Sequence, residues 1–316
     1  MNQKHITSVD FSTRGQIMKA RRHAGKEKKK FKKAPVWRYP TSAEVQYRVF
    51  LQRIVSYLRK KTVDALSPQL SFLIGEADRE RKTDGWADDL QKVMNTLSIS
   101  FDAEIEDDAV PSFLQRLSGK INSWNTNQRN QMVRTVMGID HFAYEPWAAS
   151  HMKSFVSENV GLISKLKDET FGNINRIVES GLRNGDLQKT IMRNILDGTD
   201  LEAGTFSKVE DRARLIARDQ VGKFNGELTE IRQKAIGVNE YYWRTTGDER
   251  VRDSHDALDG MLCKYSDDTV FSDDAGVTWQ SRKSIEAFEG TPGEDYQCRC
   301  WPEAVFTDTT NEEEEE

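Results

Sequence analysis

The sequence predicts an α+β protein: a mainly helical N-terminal and central body, then a small C-terminal α+β domain, with a disordered charged tail at each end. Three observations lead there. Apolar residues recur at helical spacing through much of residues 41–235, aromatic and β-branched residues take over after Gly237, and both ends carry runs of charge.

The helical body is expected over residues 41–205. Thr41 and Glu44 make a Thr-x-x-Glu capping box, and Val45, Val49, Leu51 or Ile54, Leu58 and Ala65 follow at helical spacing as far as Ser67-Pro68. A second pattern runs through Trp86, Leu90, Val93, Met94 and Leu97, and a third from Phe113 through Leu117 and Ile121 to Trp124. Helical patterning continues from Gln128 to Leu196, with a turn at Asn184-Gly185. Ser207 and Glu210 form another capping box, opening a helix of about 30 residues that Gly237 stops in the left-handed conformation.

The C-terminal domain is expected over residues 206–306. Tyr241, Tyr242, Trp243, Thr245 and Thr246 read as a strand. Asp274-Ala-Gly276 reads as a hairpin connection into a second strand at Val277-Thr-Trp279.

Charge is distributed unevenly. Residues 1–33 hold eleven Lys or Arg against Asp10 and Glu27, a net of +9, so the rest of the chain carries −14 within an overall −5. The basic arm, residues 1–40, concentrates this charge at Lys26, Lys28, Lys29, Lys30, Lys32 and Lys33. Such a run suits phosphate contacts that release counterions without reading sequence. A solvated tail or an acidic protein surface accounts for it equally well. The acidic tail, residues 307–316, ends in five glutamates whose repulsion favours a solvated chain.

No run of 18 or more apolar residues occurs, so no membrane-spanning helix is expected. The three cysteines, Cys263, Cys298 and Cys300, are too few and odd in number for a secreted disulfide framework, and favour a reducing, cytosolic origin. With His255 they supply one imidazole and three thiols, the donor set of a structural Cys3His zinc site. The spacing argues the other way, because Cys-x-Cys strains a single tetrahedral centre more than Cys-x2-Cys does. On the alternative reading the thiols are small buried hydrophobes, and His255 is hydrogen-bonded by Asp248 or a backbone carbonyl. Arg250 and Arg252 alternate on a segment expected to be extended, where they would pair with Asp248, Asp253 or Asp259 in preference to the alternative, phosphate, which the local acids would repel.

The order of these features carries a resemblance. Ile216-Ala-Arg218-Asp219, Trp243-Arg-Thr245, Asp248, Arg250, Arg252, His255, Leu258-Asp-Gly260 and Cys298-Arg-Cys300 follow one another as in the C-terminal domain of the Mu F-like minor head proteins of tailed bacteriophages. The likeness covers about residues 206–302. Asp219-Gln220 departs from the commoner Thr-Glu, and Tyr296-Gln297 from the usual lead into the first cysteine.

The resemblance implies a low-copy virion protein of the head interior or portal region, present in the host cytoplasm during assembly. Its implied partners are the portal protein, other head or scaffold proteins and packaged double-stranded DNA. No phosphate loop, His-Glu-x-x-His helix or Gly-x-Ser-x-Gly elbow appears, and no catalysis is expected. The alternative enzyme, nucleic-acid-processing or ADP-ribosyl-transferring, would use His255 as base and Arg250 for phosphoryl charge.

Overall fold

The structure, a computed structural model, describes residues 34–79, 85–106, 109–140, 143–199 and 202–306. The lysines of the basic arm and the acidic tail lie outside these residues. Among the described residues the helices are α1 (Thr41–Arg79), α2 (Gly85–Glu106), α3 (Ala109–Met137), α4 (Trp147–Asn184), α5 (Gln188–Leu196), α6 (Thr205–Ala235) and the single turn α7 (Asp253–Asp256). The strands are β1 (Glu240–Arg244), β2 (Leu262–Lys264), β3 (Asp267–Ser272), β4 (Gln280–Ser281) and β5 (Trp301–Val305). The α+β architecture is the expected one. No described helix is long and apolar enough to cross a membrane.

The chain packs as two units that do not follow chain order. Among the described residues, one lies within Ser42–Leu117 and Ser154–Arg218, and the other within 34–41, Ser118–Lys153 and 219–306. The first is helical. Its α1 buries Tyr47, Leu51, Val55, Leu58, Leu66, Leu70 and Leu73 as one stripe, whereas Val45 and Val49, expected on that face, are exposed. Tyr47 settles the register because its hydroxyl donates to Asn159 Oδ1 at 2.6 Å, so a polar tip is satisfied inside the core.

Helix α1 does not stop at Ser67-Pro68 as expected; Pro68 lies inside it. Proline removes one helical hydrogen bond and crowds the carbonyl four residues back. The buried leucines on either side, Leu66, Leu70 and Leu73, hold the helix through that defect. Gln188 braces the same turn, donating from Nε2 to Ser67 O at 2.8 Å and accepting from Ser71 Oγ at 2.7 Å.

The second unit contains the sheet, antiparallel throughout and ordered β4-β3-β2-β1-β5. In β1, Tyr241 pairs with Cys263 and Ala304, and Trp243 pairs with Pro302. The core beneath gathers Trp37, Met132, Val133, Val136, Val238, Tyr241, Trp243, Leu258, Cys263 and Phe271. Gly237, at φ 78°, ends α6 as expected. The helix opens at Thr205, however, so Ser207 and Glu210 lie within it and do not cap it. The hairpin at Asp274-Ala-Gly276 is present, but its second strand falls at Gln280–Ser281, beyond Val277-Thr-Trp279. Trp279 instead lies beneath the Lys264 ammonium, 4.5 Å from its ring centroid.

A buried polar network braces this unit. Arg232, fully buried in α6, donates to Glu145, Asn122 and Asn125, and Arg129 donates to the same Glu145. Glu145 therefore compensates two desolvated guanidiniums.

Candidate metal centre

Strand β1 leaves the sheet at Arg244, and the chain turns back through residues 245–260. Thr245 N donates to Asp259 Oδ1 at 2.7 Å, and Gly260, at φ 80°, donates its N–H to Trp243 O at 2.9 Å. The left-handed conformation at Gly260 gives the Leu-x-Gly element its physical reason. Between these anchors the segment carrying Arg250 and Arg252 is a turn, closed by Val251 N to Asp248 O at 3.0 Å, and not the extended run expected. The expected arginine pairings are replaced accordingly. Asp248 is held by Arg299, Arg252 donates to Asp295 Oδ2 and Tyr296 O at 2.7 Å each, and the exposed Arg250 bonds Asp248 through its backbone N–H.

The turn presents His255 on α7. The ring is buried, with Trp243 edge-on at 5.6 Å and Phe288 at 5.0 Å. Its Nε2 meets Asp295 Oδ2 at 3.0 Å. A carboxylate only accepts, so Nε2 carries a proton. Nδ1 faces two sulfurs, Cys298 Sγ at 3.5 Å and Cys300 Sγ at 3.4 Å. The ligand atoms of His255, Cys298 and Cys300 all lie within 4.8 Å of one another.

Four polar contacts set the Cys-Arg-Cys loop. Cys298 N donates to Asp295 O at 3.1 Å, and Gln297, at φ 54°, donates its N–H to Asp219 Oδ1 of α6 at 2.9 Å. Close approach of α6 explains Gly222, where an added Cβ would stand 3.2 Å from Cys298 O. Arg299 turns outward to Asp248 and its neighbours turn inward, so both sulfurs reach His255. Cys300 N also donates to Cys298 Sγ at 3.3 Å.

The electrostatics favour one thiolate. A hydrogen bond from the Cys300 thiol, with the nearby His255, holds Cys298 well below the usual thiol range, while Cys300 is pushed up by that same bond and by burial. Burial pulls His255 down, but Cys298 and Asp295 outweigh it and the imidazole ends above its ordinary value. The buried Trp243 indole N–H lies beside Cys300 and partly offsets that upward push.

Of the four expected metal donors, three come together and Cys263 does not. Its place in β2 opposite Tyr241 turns it into the sheet core, where burial raises its thiol. Asp248 does not bond His255; Asp295 does. Asp219 stands in the Ile216-Ala-Arg218-Asp219 element but was not expected to touch the cysteine loop, and Asp295 was not singled out in the sequence. Asp295 stands three residues before Cys298, and that spacing was the available signal.

Residues 172–302 match the family model described as Phage Mu protein F like protein. This segment is similar to that family. The match takes in every element of the site, from Asp219 to Cys300. The chain is also 27% identical over 262 residues to an uncharacterized protein of Haemophilus influenzae, an alignment covering 81% of this chain. The chain spans about half that relative, 52% of its length. No solved structure matches the chain.

Proposed function

We propose that this protein is a low-copy minor component of a tailed-phage head, associated with the portal and acting in head morphogenesis or DNA delivery. The observation that carries this is the family match over residues 172–302, which supports a phage head protein. Its partners are the portal protein and other head or scaffold proteins, and its place is the head interior or portal region of the virion. Lys26, Lys28, Lys29, Lys30, Lys32 and Lys33 contact packaged double-stranded DNA through phosphate, without sequence readout.

Co-expression with the portal protein of the same phage tests the reading. The two are expected to co-purify, and a chain that sediments alone under every assembly condition contradicts it. Deleting residues 1–33 is expected to abolish DNA retention at low salt and leave thermal unfolding of the remainder unchanged. Retention by the deleted chain would move the DNA contact elsewhere.

The enzyme reading gains nothing from the geometry. His255 is buried with both ring nitrogens facing fixed partners, and the exposed Arg250 is not among those partners. A base needs a ring nitrogen aimed at a substrate proton, and here both are turned to Asp295 and the two cysteines.

A further inference from the structure

We propose that His255 Nδ1, Cys298 Sγ and Cys300 Sγ bind one zinc ion, with a water in the fourth position, and that the ion clamps α7 to the lead into β5. A tetrahedral ion with Zn–N near 2.05 Å and Zn–S near 2.3 Å places a ligand nitrogen and sulfur roughly 3.6 Å apart. The two separations here, 3.5 and 3.4 Å, fall close to that value. The imidazole is also in the right tautomer. With Nε2–H held by Asp295, the neutral ring presents its Nδ1 lone pair to the space between the sulfurs.

Asp295 supplies the outer support that metal-bound histidines need, and it is itself fixed by Arg252. The buried Trp243 N–H beside Cys300 gains a charged acceptor when that sulfur is a metal-bound thiolate. Mixed thiolate and imidazole donors select zinc over magnesium or calcium, which take oxygen ligands.

The role is structural. A zinc hydrolase or deaminase needs a carboxylate free to move protons beside the metal-bound water. Here Asp295 is committed to His255 and Arg252, and Ala257 stands two residues after His255, where a deaminase has its glutamate. What the ion does is join segments 43 residues apart, 255 and 298, next to the edge strand β5. In a reducing compartment a metal does what a disulfide would do elsewhere.

The test is metal content of the full-length chain purified from a reducing cytosol, with cobalt reconstitution as a second readout. About one zinc per chain is expected. Cobalt should give a thiolate charge-transfer band and the strong visible bands of tetrahedral coordination. Cys298→Ser and Cys300→Ser should each lose the metal, and Cys263→Ser should keep it. If a variant fails to fold, the wild-type cobalt spectrum decides. Absence of stoichiometric metal after reconstitution, retention of it by a folded Cys298→Ser or Cys300→Ser chain, or a Cys298-Cys300 disulfide found by alkylation and mass spectrometry overturns the proposal.

Discussion

Asp295 accepts a hydrogen bond from His255 Nε2 at 3.0 Å, on the side of the ring opposite the Cys298 and Cys300 sulfurs. This one contact fixes the tautomer and the rotation of the imidazole, so the geometry of the cluster depends on it. Asp295→Asn removes the charge while keeping an acceptor of similar shape. Zinc affinity, measured by competition with a chromophoric chelator, should fall by about 10–100-fold. Unchanged affinity would leave Asp295 with no part in orienting the ring.

Glu145 is the shared carboxylate of Arg129 and Arg232, both buried. Glu145→Ala leaves two guanidiniums uncompensated in the interior. Denaturant unfolding should show a loss of about 3–5 kcal/mol, the usual cost of breaking a buried pair from one side. A loss below about 1 kcal/mol, the scale of exposed pairs, would mean that water reaches the network.

Pro68 is exposed on α1 and has no helical donor to offer. Pro68→Ala should therefore raise the stability of the helical unit, by up to about 3 kcal/mol. Calorimetry of the two chains would detect this as a higher Tm, and a lower Tm would mean that the proline ring is needed where it stands.

Two titrations have opposite signs. The hydrogen bond to Glu227 raises His151 above its ordinary 6.5, so its contribution to stability is complete below 6.5 and is lost as pH rises through the folded value. Hydrogen bonds from Ser272 and Thr278 lower Asp274 to about 2, so its contribution is present above 3.8 and is lost as pH falls through about 2. Proton NMR titration of both groups checks the directions. A folded His151 value below 6.5 or an Asp274 value above 3.8 would contradict the geometry around that residue.

The parts of the fold that were legible in the sequence are those written in long apolar periods. Leu90, Met94 and Leu97 of α2 are buried as expected, and so are Leu117 and Ile121 of α3. In α1 Leu51 and Leu58 are buried as expected, but Val45 and Val49 are exposed and Tyr47, whose hydroxyl is satisfied by the distant Asn159, takes the inner face. Strands β2 and β3 read Leu-Cys-Lys and Asp-Asp-Thr-Val-Phe-Ser, too short and polar to announce themselves. Pro302 hides β5, which tolerates it because β5 is the edge strand beside β1. At the site, the sequence supplied the donor types and the structure decided among them. His255, Cys298 and Cys300 meet because a turn and a loop converge, whereas Cys263 sits opposite Tyr241 in the sheet core.

The central claim is that this chain is a built-in component of a phage head. Quantitative mass spectrometry of purified heads from the phage that encodes it tests that most directly. Peptides of this chain should co-fractionate with intact heads at a small fraction of the major capsid protein's abundance, and should be lost from heads assembled without portal. Heads free of its peptides, with the chain recovered only in the soluble fraction, would contradict the account.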